Sequence, residues 1–267
     1  MTWSATGYKR FEEERTRPVR DLLAALPAID ARRVIDLGCG PGNSTAALTT
    51  RFPGASVRGL DSSADMLAAA RRRLPGVRFD LEDIEQWAYA KHGDDAASTG
   101  DSVSYDVILA NAVLQWLPNH PTLFPALIAK LAGGGVLAAQ MPDNLDEPAH
   151  RLMREIAMDG PWAVKLDRAK ARPPMLDAGR YGELVRAAGC KFDIWRTTYF
   201  HALAGRAGAV VEWFKGSGLQ PYLAPLDDQE QPAFLARYEA AVARAYPATA
   251  DGIVSLPFPR LFIVALR

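Results

Sequence analysis

Apolar positions in the first half of the chain fall into five short runs separated by stretches of helical spacing. Arg33–Leu37 (RVIDL) stops at a glycine cluster, and Ser56–Asp61 (SVRGLD) ends on an acid. Val77–Leu81 (VRFDL) runs into Glu82 and Asp83, Tyr105–Ala110 (YDVILA) into Asn111, and Gly135–Met141 (GVLAAQM) into Pro142. Apolar runs of this length, rich in β-branched and bulky side chains, fit strands buried on both faces. Between them, Ser44–Phe52, Ala64–Leu74 and Thr122–Leu131 carry apolar residues at helical spacing, the last followed by Gly133-Gly134-Gly135 as a helix stop. Strand alternating with helix predicts right-handed crossovers and a parallel sheet covered on both faces.

After Pro142 the pattern changes. Asp146–Met158 and Tyr181–Ala188 predict helices, Lys191–Tyr199 (KFDIWRTTY) a strand, and Gly208–Lys215 and Gln229–Tyr246 two more helices. Arg260–Leu266 (RLFIVAL) closes the chain as a strand. The stretch 203–258 is too long for a plain connection and reads as a helical cap, with Tyr8–Arg15 as a second piece of it. Lys91–Ser104 is nearly free of large apolar residues and reads as a surface loop. No internal repeat interrupts this organisation.

Composition narrows the classes. A chain of 267 residues can bury a full α/β core as one domain. Lys plus Arg number 31 and Asp plus Glu 31, so no bulk basic field points to nucleic acid or an anionic membrane. An anionic ligand must therefore be met by a local arginine cluster. Cys39 and Cys190 stand alone, without metal-ligand spacing, so neither zinc nor a disulfide framework is indicated. No apolar run reaches the roughly 18 residues of a membrane span. The start of the chain lacks the apolar core of a signal peptide, so a cytoplasmic protein is expected.

The chemistry collects at strand ends. Asp36-Leu37-Gly38-Cys39-Gly40-Pro41-Gly42-Asn43 sits where the first strand turns into the first helix. Glycines there permit positive φ and close approach of a ligand to the backbone. The dinucleotide pattern G-x-G-x-x-G lacks its third glycine here, and Asp36 stands two residues before the first. A carboxylate at that point suits a ligand bearing an ammonium group. Asp61, 21 residues after Gly40, can accept from both hydroxyls of a ribose, with Ser62 and Met66 beside it. Asp83 can accept from an exocyclic adenine amine, with Ile84 against the ring, and Asn111 ends the fourth strand. These positions share the carboxyl edge of the sheet, where open α/β sheets bind ligands.

The glycine loop with its strand-end acids resembles the cofactor motif of class I S-adenosylmethionine-dependent methyltransferases. More narrowly, the chain resembles the trans-aconitate 2-methyltransferase family nearly end to end. The resemblance is carried by W-x4-Y-x2-F-x2-E-R-x-R-P from Trp3, the loop from Asp36 and A-N-A-x-L-Q-W-L-P from Ala110. It continues in Q-M-P-D-N from Gln140, D-I-W-R-T-T-Y from Asp193 and F-P-R-L-F-I-V-A from Phe258. It implies a Rossmann-like, doubly wound, mostly parallel α/β sheet of seven strands with an antiparallel last strand, under a helical cap. On that reading residues 1–30 are cap helices, 31–142 the cofactor-binding core, 143–202 helices and the sixth strand, 203–258 the cap insertion and 259–267 the last strand.

The resemblance implies S-adenosylmethionine as cofactor, no metal, and a small polycarboxylic acid as substrate, trans-aconitate by family. Attack by a carboxylate oxygen on the sulfonium methyl follows, and a carboxylic acid of pKa around 4 needs no general base at pH 7. Alignment alone can supply roughly 7–11 kcal/mol. Recognition then needs guanidinium groups. Arg196 and Arg260 lead, with Tyr199, Gln115, Trp116 and His201 as helpers, and Arg15 and Arg17 on the N-terminal element also within the proposal. Family members carry Thr-Gly-Leu-Arg-Pro where this chain has Ser217-Gly218-Leu219-Gln220-Pro221, which weakens a tricarboxylate reading if that Arg holds a carboxylate.

Plainer readings stand beside these. Asp83 could serve only as a helix cap, Cys39 as a small residue between glycines, and the arginines as partners in structural ion pairs. Another small acid or an acyl-chain carboxylate remains an alternative substrate. More remote are an NAD-dependent oxidoreductase and a cofactor-binding protein without catalysis.

Overall fold

The computed structural model describes residues 12–90, 104–167, 169 and 172–267. Residues 8–11 of the expected N-terminal cap and residues 91–103 of the expected loop lie outside the described residues, as does the Arg15 side chain. The chain divides into two compact units, one of residues 1–141, 175–196 and 261–267, the other of 142–174 and 197–260. The sixth and last strands each pass from one unit to the other.

In the first unit helix α1 (Glu12–Ala24) precedes β1 (Arg33–Leu37), α2 (Asn43–Arg51), β2 (Ser56–Asp61), α3 (Ala64–Arg73), β3 (Arg78–Leu81) and α4 (Ile84–Tyr89). Then come β4 (Tyr105–Asn111), a 3₁₀ turn (Leu114–Trp116), α5 (His120–Ala129) and β5 (Leu131–Pro142). Helix α4 was marked in the sequence only by the helix-cap reading of Asp83, since its six residues are too few to show a period; the Asp83 side chain does cap it. The later elements are α6 (Pro148–Met158), α7 (Ala163–Leu166), α8 (Ala178–Ala187), β6 (Lys191–Ala204), α9 (Arg206–Lys215), α10 (Gln220–Leu223), α11 (Glu230–Ala245) and β7 (Ile253–Leu266).

The strands form one seven-stranded sheet in the order β3-β2-β1-β4-β5-β7-β6. Pairs β1·β2, β2·β3, β1·β4 and β4·β5 are parallel. The last strand is antiparallel: Gly134 N–H donates to Arg267 O and Arg267 N–H returns to Gly135 O. Strand order reverses between β1 and β4, and a crevice opens at such a switch point. β7 is longer than expected, starting at Ile253 rather than Arg260.

The central strands are mostly apolar because both faces are covered: Val34, Ile35, Leu37, Val107, Ile108 and Leu109 are fully buried. Polar groups at the sheet margin are paired. Arg58 on β2 donates Nε to Asp80 (2.6 Å), Nη2 to Glu82 (2.9 Å) and Nη1 to the Tyr105 hydroxyl (3.1 Å), tying together residues of β2, β3 and β4 and the turn after β3. In the second unit α11 packs on α6 and α9. Tyr246 and Tyr238 hydroxyls bond the Ala149 N–H and C=O, which anchors the start of α6. Among the described residues no helix is long and apolar enough to cross a membrane.

Gly59 on β2 lies beside Phe79 of β3 in register, and a Cβ there would stand 2.5 Å from the Phe79 ring. Gly59→Ala is therefore expected to lower the unfolding free energy by about 1–3 kcal/mol in urea titrations. A double-mutant cycle with Phe79→Leu should return part of that loss, since trimming the ring opens the space; strictly additive losses would refute the packing account.

Candidate cofactor site at the switch point

The loop from Leu37 to Asn43 is shaped by its backbone before any ligand is considered. Gly38 holds φ +63°, and a Cβ on it would meet Val113 Cγ2 at 2.3 Å, so glycine is required both for the turn and for the approach of the post-β4 segment. The Gly40 N–H donates to Asp61 Oδ2 at 2.9 Å, and the Ser63 N–H to Asp61 Oδ1 at 2.8 Å. Asp61 thus ties the glycine loop to the end of β2. Burial raises its pKa, while the N–H groups of Ser63, Gly40 and Ser62 hold the charged form. Each oxygen accepts one of the two hydrogen bonds and keeps further acceptor capacity.

A cavity of about 610 Å³ opens along this edge. Gly38, Gly40 and Asn43 line it from the loop, Asp61, Ser62 and Met66 from the end of β2 and the start of α3, Asp83 and Ile84 from the start of α4, and Asn111 from the end of β4. Nine of the ten expected cofactor positions therefore share one wall. Asp83 caps α4 through Oδ1, which accepts from Glu85 N–H (2.8 Å) and Gln86 N–H (3.1 Å). The capping reading is thus a fact of the fold, and the same side chain also faces the cavity. Asn111 is oriented from behind by Gln140, whose Nε2 donates to Asn111 Oδ1 at 2.5 Å.

Asp36 is the exception. Its side chain is completely buried beneath the loop rather than on the cavity wall. Ser44 Oγ and Thr45 Oγ1 both donate to Oδ2, at 2.7 and 2.6 Å. Burial pushes its pKa up to about 7, against the lowering effect of the two hydroxyls. Oδ1 is buried without a hydrogen-bond partner. An ammonium group directly on Asp36 is not what this geometry offers; the carboxylate braces α2 from below.

Gln115 is likewise relocated. It is 3% exposed and absent from the cavity lining, and its Nε2 donates to Ala112 O at 2.6 Å. Ala112 sits at φ +54°, a strained value for a residue with a Cβ, and its N–H is held by Gln140 O at 2.9 Å. Gln115 and Gln140 therefore hold the turn that presents Asn111 and Val113. Trp116 does line the cavity, with Leu117. Thr16 and Val19 of α1 line it too, and no sequence signal marks them, since a threonine and a valine on an amphipathic helix look like any other.

Cys39 is buried and its thiol pKa is pushed up, mainly by burial, so no reactive thiol stands in the loop. Arg17 is exposed and lies 3.9 Å from Asp21.

The expected acid-binding residues separate. On β6 the odd positions Tyr199, His201 and Leu203 are buried and the even ones exposed, so Arg196 falls on the opposite face of the strand from Tyr199. In the second unit Arg260 is buried over the Phe258 ring (4.9 Å), and His201 packs against Trp213 (4.5 Å) and Phe258 (5.6 Å). Tyr199, His201 and Arg260 thus share an aromatic-walled environment, which Arg196 does not. Trp195 stacks on Phe262 at 4.8 Å as packing. Gln220 donates Nε2 to Lys215 O at 2.6 Å, closing the end of α9.

A switch-point crevice, a glycine loop fastened to an acid after β2 and a second acid after β3 are the features of the α/β class that binds nucleoside-bearing ligands at the carboxyl edge of its sheet. A family model described as a methyltransferase domain matches residues 11–193. The chain is 54% identical over 266 residues to the trans-aconitate 2-methyltransferase of Methylobacterium nodulans, covering 99% of this chain and 98% of that one. It is 50% identical to the enzyme of the same name from an Azoarcus species, covering 100% and 99%. The chain belongs to the trans-aconitate 2-methyltransferase family.

Distant solved structures share the fold alone. The YcgJ protein of Bacillus subtilis matches with TM-score 0.58 at 11% identity over 94% of this chain and 98% of that one. A Haemonchus contortus phosphoethanolamine N-methyltransferase, solved with S-adenosylhomocysteine, matches at 0.55 and 16% over 98% and 56%.

The Asp36 carboxyl gives a pH test. Its folded-state pKa lies above the ordinary value, so between about pH 4 and 7 the folded chain binds more protons there than the unfolded chain, and stability falls as pH rises. Relative to Asp36→Asn, the wild type should lose stability across that window, on the order of 4 kcal/mol in all. Urea titrations of both proteins at pH 4.5 and 7.5 read this difference; a constant offset would contradict it.

Proposed function

We propose that the chain transfers the methyl group of S-adenosylmethionine to a carboxylate of trans-aconitate, forming a monomethyl ester. The observation that carries the reading is the cavity wall in which Asp61, Asp83 and Asn111 stand at three successive strand ends around the glycine loop. Its support from outside the chain is the shared name of full-length relatives at about half identity. Its partners on this reading are small molecules, and its setting the cytoplasm.

When bound, S-adenosylmethionine supplies an electrophilic methyl group on a sulfonium. Asp61 would hold the ribose hydroxyls with its remaining acceptor capacity, and Asp83 the adenine amine through the oxygen that the helix cap leaves over. Glycine at 38 lets Val113 approach the loop as part of the wall, which a Cβ would prevent. Met66, Ile84, Val113 and Leu117 supply apolar wall, which excludes water and strengthens the polar contacts made among them. No proton has to be removed from an ionised acid, so the chain's own residues bind, orient and desolvate rather than act as a base.

The first test is mass spectrometry of the protein incubated with S-adenosylmethionine and trans-aconitate. S-adenosylhomocysteine together with a monomethyl ester is the expected outcome. Cofactor binding with no ester would remove trans-aconitate and call for a panel of other small acids. Asp61→Ala should weaken S-adenosylhomocysteine binding by calorimetry roughly 10-fold or more, the loss of hydrogen bonds to a charged group; unchanged affinity would remove the ribose role.

A further inference from the structure

The second unit contains an arginine whose surroundings make little sense as structure alone. Arg172 donates Nη2 to Asn144 Oδ1 at 3.0 Å, and among the described residues Asn144 is its one hydrogen-bond partner. Its Nε is buried with none. A guanidinium carries five N–H donors, and stripping them of water without partners is costly. Burial lowers its pKa to about 10, and the charge of nearby Asp143 only partly offsets this.

The neighbours add cation rather than remove it. Arg154 on α6 is fixed by a 2.8 Å bond from Nη2 to Leu145 O. His150, one turn earlier on the same helix, is pushed down to about 3 by burial and then by Arg172 and Arg154, so it is neutral at pH 7. It packs edge-on against Phe214 at 5.0 Å and over Gly218, where a Cβ would come within 2.8 Å of its Cε1. Tyr222, buried on α10, also feels the Arg154 charge. Arg172 and Arg154 thus both bear on His150, and the half-buried Arg172 keeps a buried Nε that no described residue accepts from. A guanidinium with a buried donor left over is completed by a ligand that accepts from it.

We infer that Arg172, braced by Asn144 and flanked by Arg154 and His150, grips a carboxylate of the acid substrate. The inference rests on the carboxyl-methylating function proposed above and names residues that function did not use. Asn144 belongs to the Q-M-P-D-N run, and its chemistry explains why it is not an acid. An aspartate there would form an internal ion pair and occupy the guanidinium. The amide orients it and leaves its charge for a ligand. The planar fork of arginine suits a carboxylate in two-point contact.

The test compares wild type with Arg172→Gln and Asn144→Asp in steady-state kinetics, S-adenosylhomocysteine calorimetry and thermal unfolding. Arg172→Gln should raise the KM for trans-aconitate roughly 30-fold or more, as expected for losing a buried charge contact. Its S-adenosylhomocysteine affinity should stay within about twofold and its Tm should not fall, since a half-buried charge with an unpaired donor has been removed. Asn144→Asp should raise Tm while also raising KM, opposite signs that a purely structural role does not produce. An unchanged KM in both variants, or a KM rise matched by a fall in Tm, overturns the assignment. If Arg172→Gln does not fold, Asn144→Asp alone decides by the same signs. Should wild type fail to methylate trans-aconitate, that failure belongs to the substrate reading. The clamp is then judged by calorimetry with citrate: binding lost in the variants supports it, and equal binding or none in wild type overturns it.

Discussion

Asp61 Oδ2 sits 2.9 Å from the Gly40 N–H, and its other oxygen holds the Ser63 N–H. Through those two bonds the end of β2 fixes both the glycine loop and the start of α3, the two edges between which the cavity opens. The loop could take other shapes, because glycines restrict it little. With Gly40 fastened, Gly38 is held against Val113, and that contact sets how the chain after β4 runs past the cavity. The candidate cofactor site is thus a set of strand ends bound to one another before any ligand arrives, which is the preorganisation a binding site needs.

Three buried or half-buried charges show three different solutions to the cost of leaving water. Arg58 is satisfied by two carboxylates and a phenol, and serves as structure. Asp36 lacks a cation; two hydroxyls solvate one of its oxygens, and its pKa rises toward neutrality. Arg172 has a single amide and a nearby carboxylate, and cannot discharge at neutral pH as an aspartate can. The contrast between Arg58 and Arg172 separates a charge that completes the fold from one suited to an external partner.

Amides do quieter work around the same site. Gln140 holds Asn111 and the strained Ala112, and Gln115 holds Ala112 from its other side. Side chains that look like ligand contacts in a motif can be there to hold the backbone that makes the contacts. The family's A-N-A-x-L-Q-W run mixes both kinds: Asn111 and Trp116 face the cavity, and Gln115 faces the peptide behind it.

Periodicity and strand-end chemistry by themselves determined the alternating α/β core, the parallel order of its first strands and nine positions of the cavity wall, because these are local: an apolar run, a turn that needs glycine, an acid at a fixed distance along the chain. Tertiary structure decided the rest. Asp36 lies two residues from the loop in sequence, yet the packing of α2 turns it inward onto Ser44 and Thr45. Arg196 and Tyr199 read as one cluster until the period of two in β6 sends them to opposite faces. Thr16 joins the cavity, and Arg172 meets Asn144, across separations in sequence that no local pattern encodes. A half-buried guanidinium and a solvated one are the same letter, and only the packing around Arg172 shows that its Nε is buried without a partner.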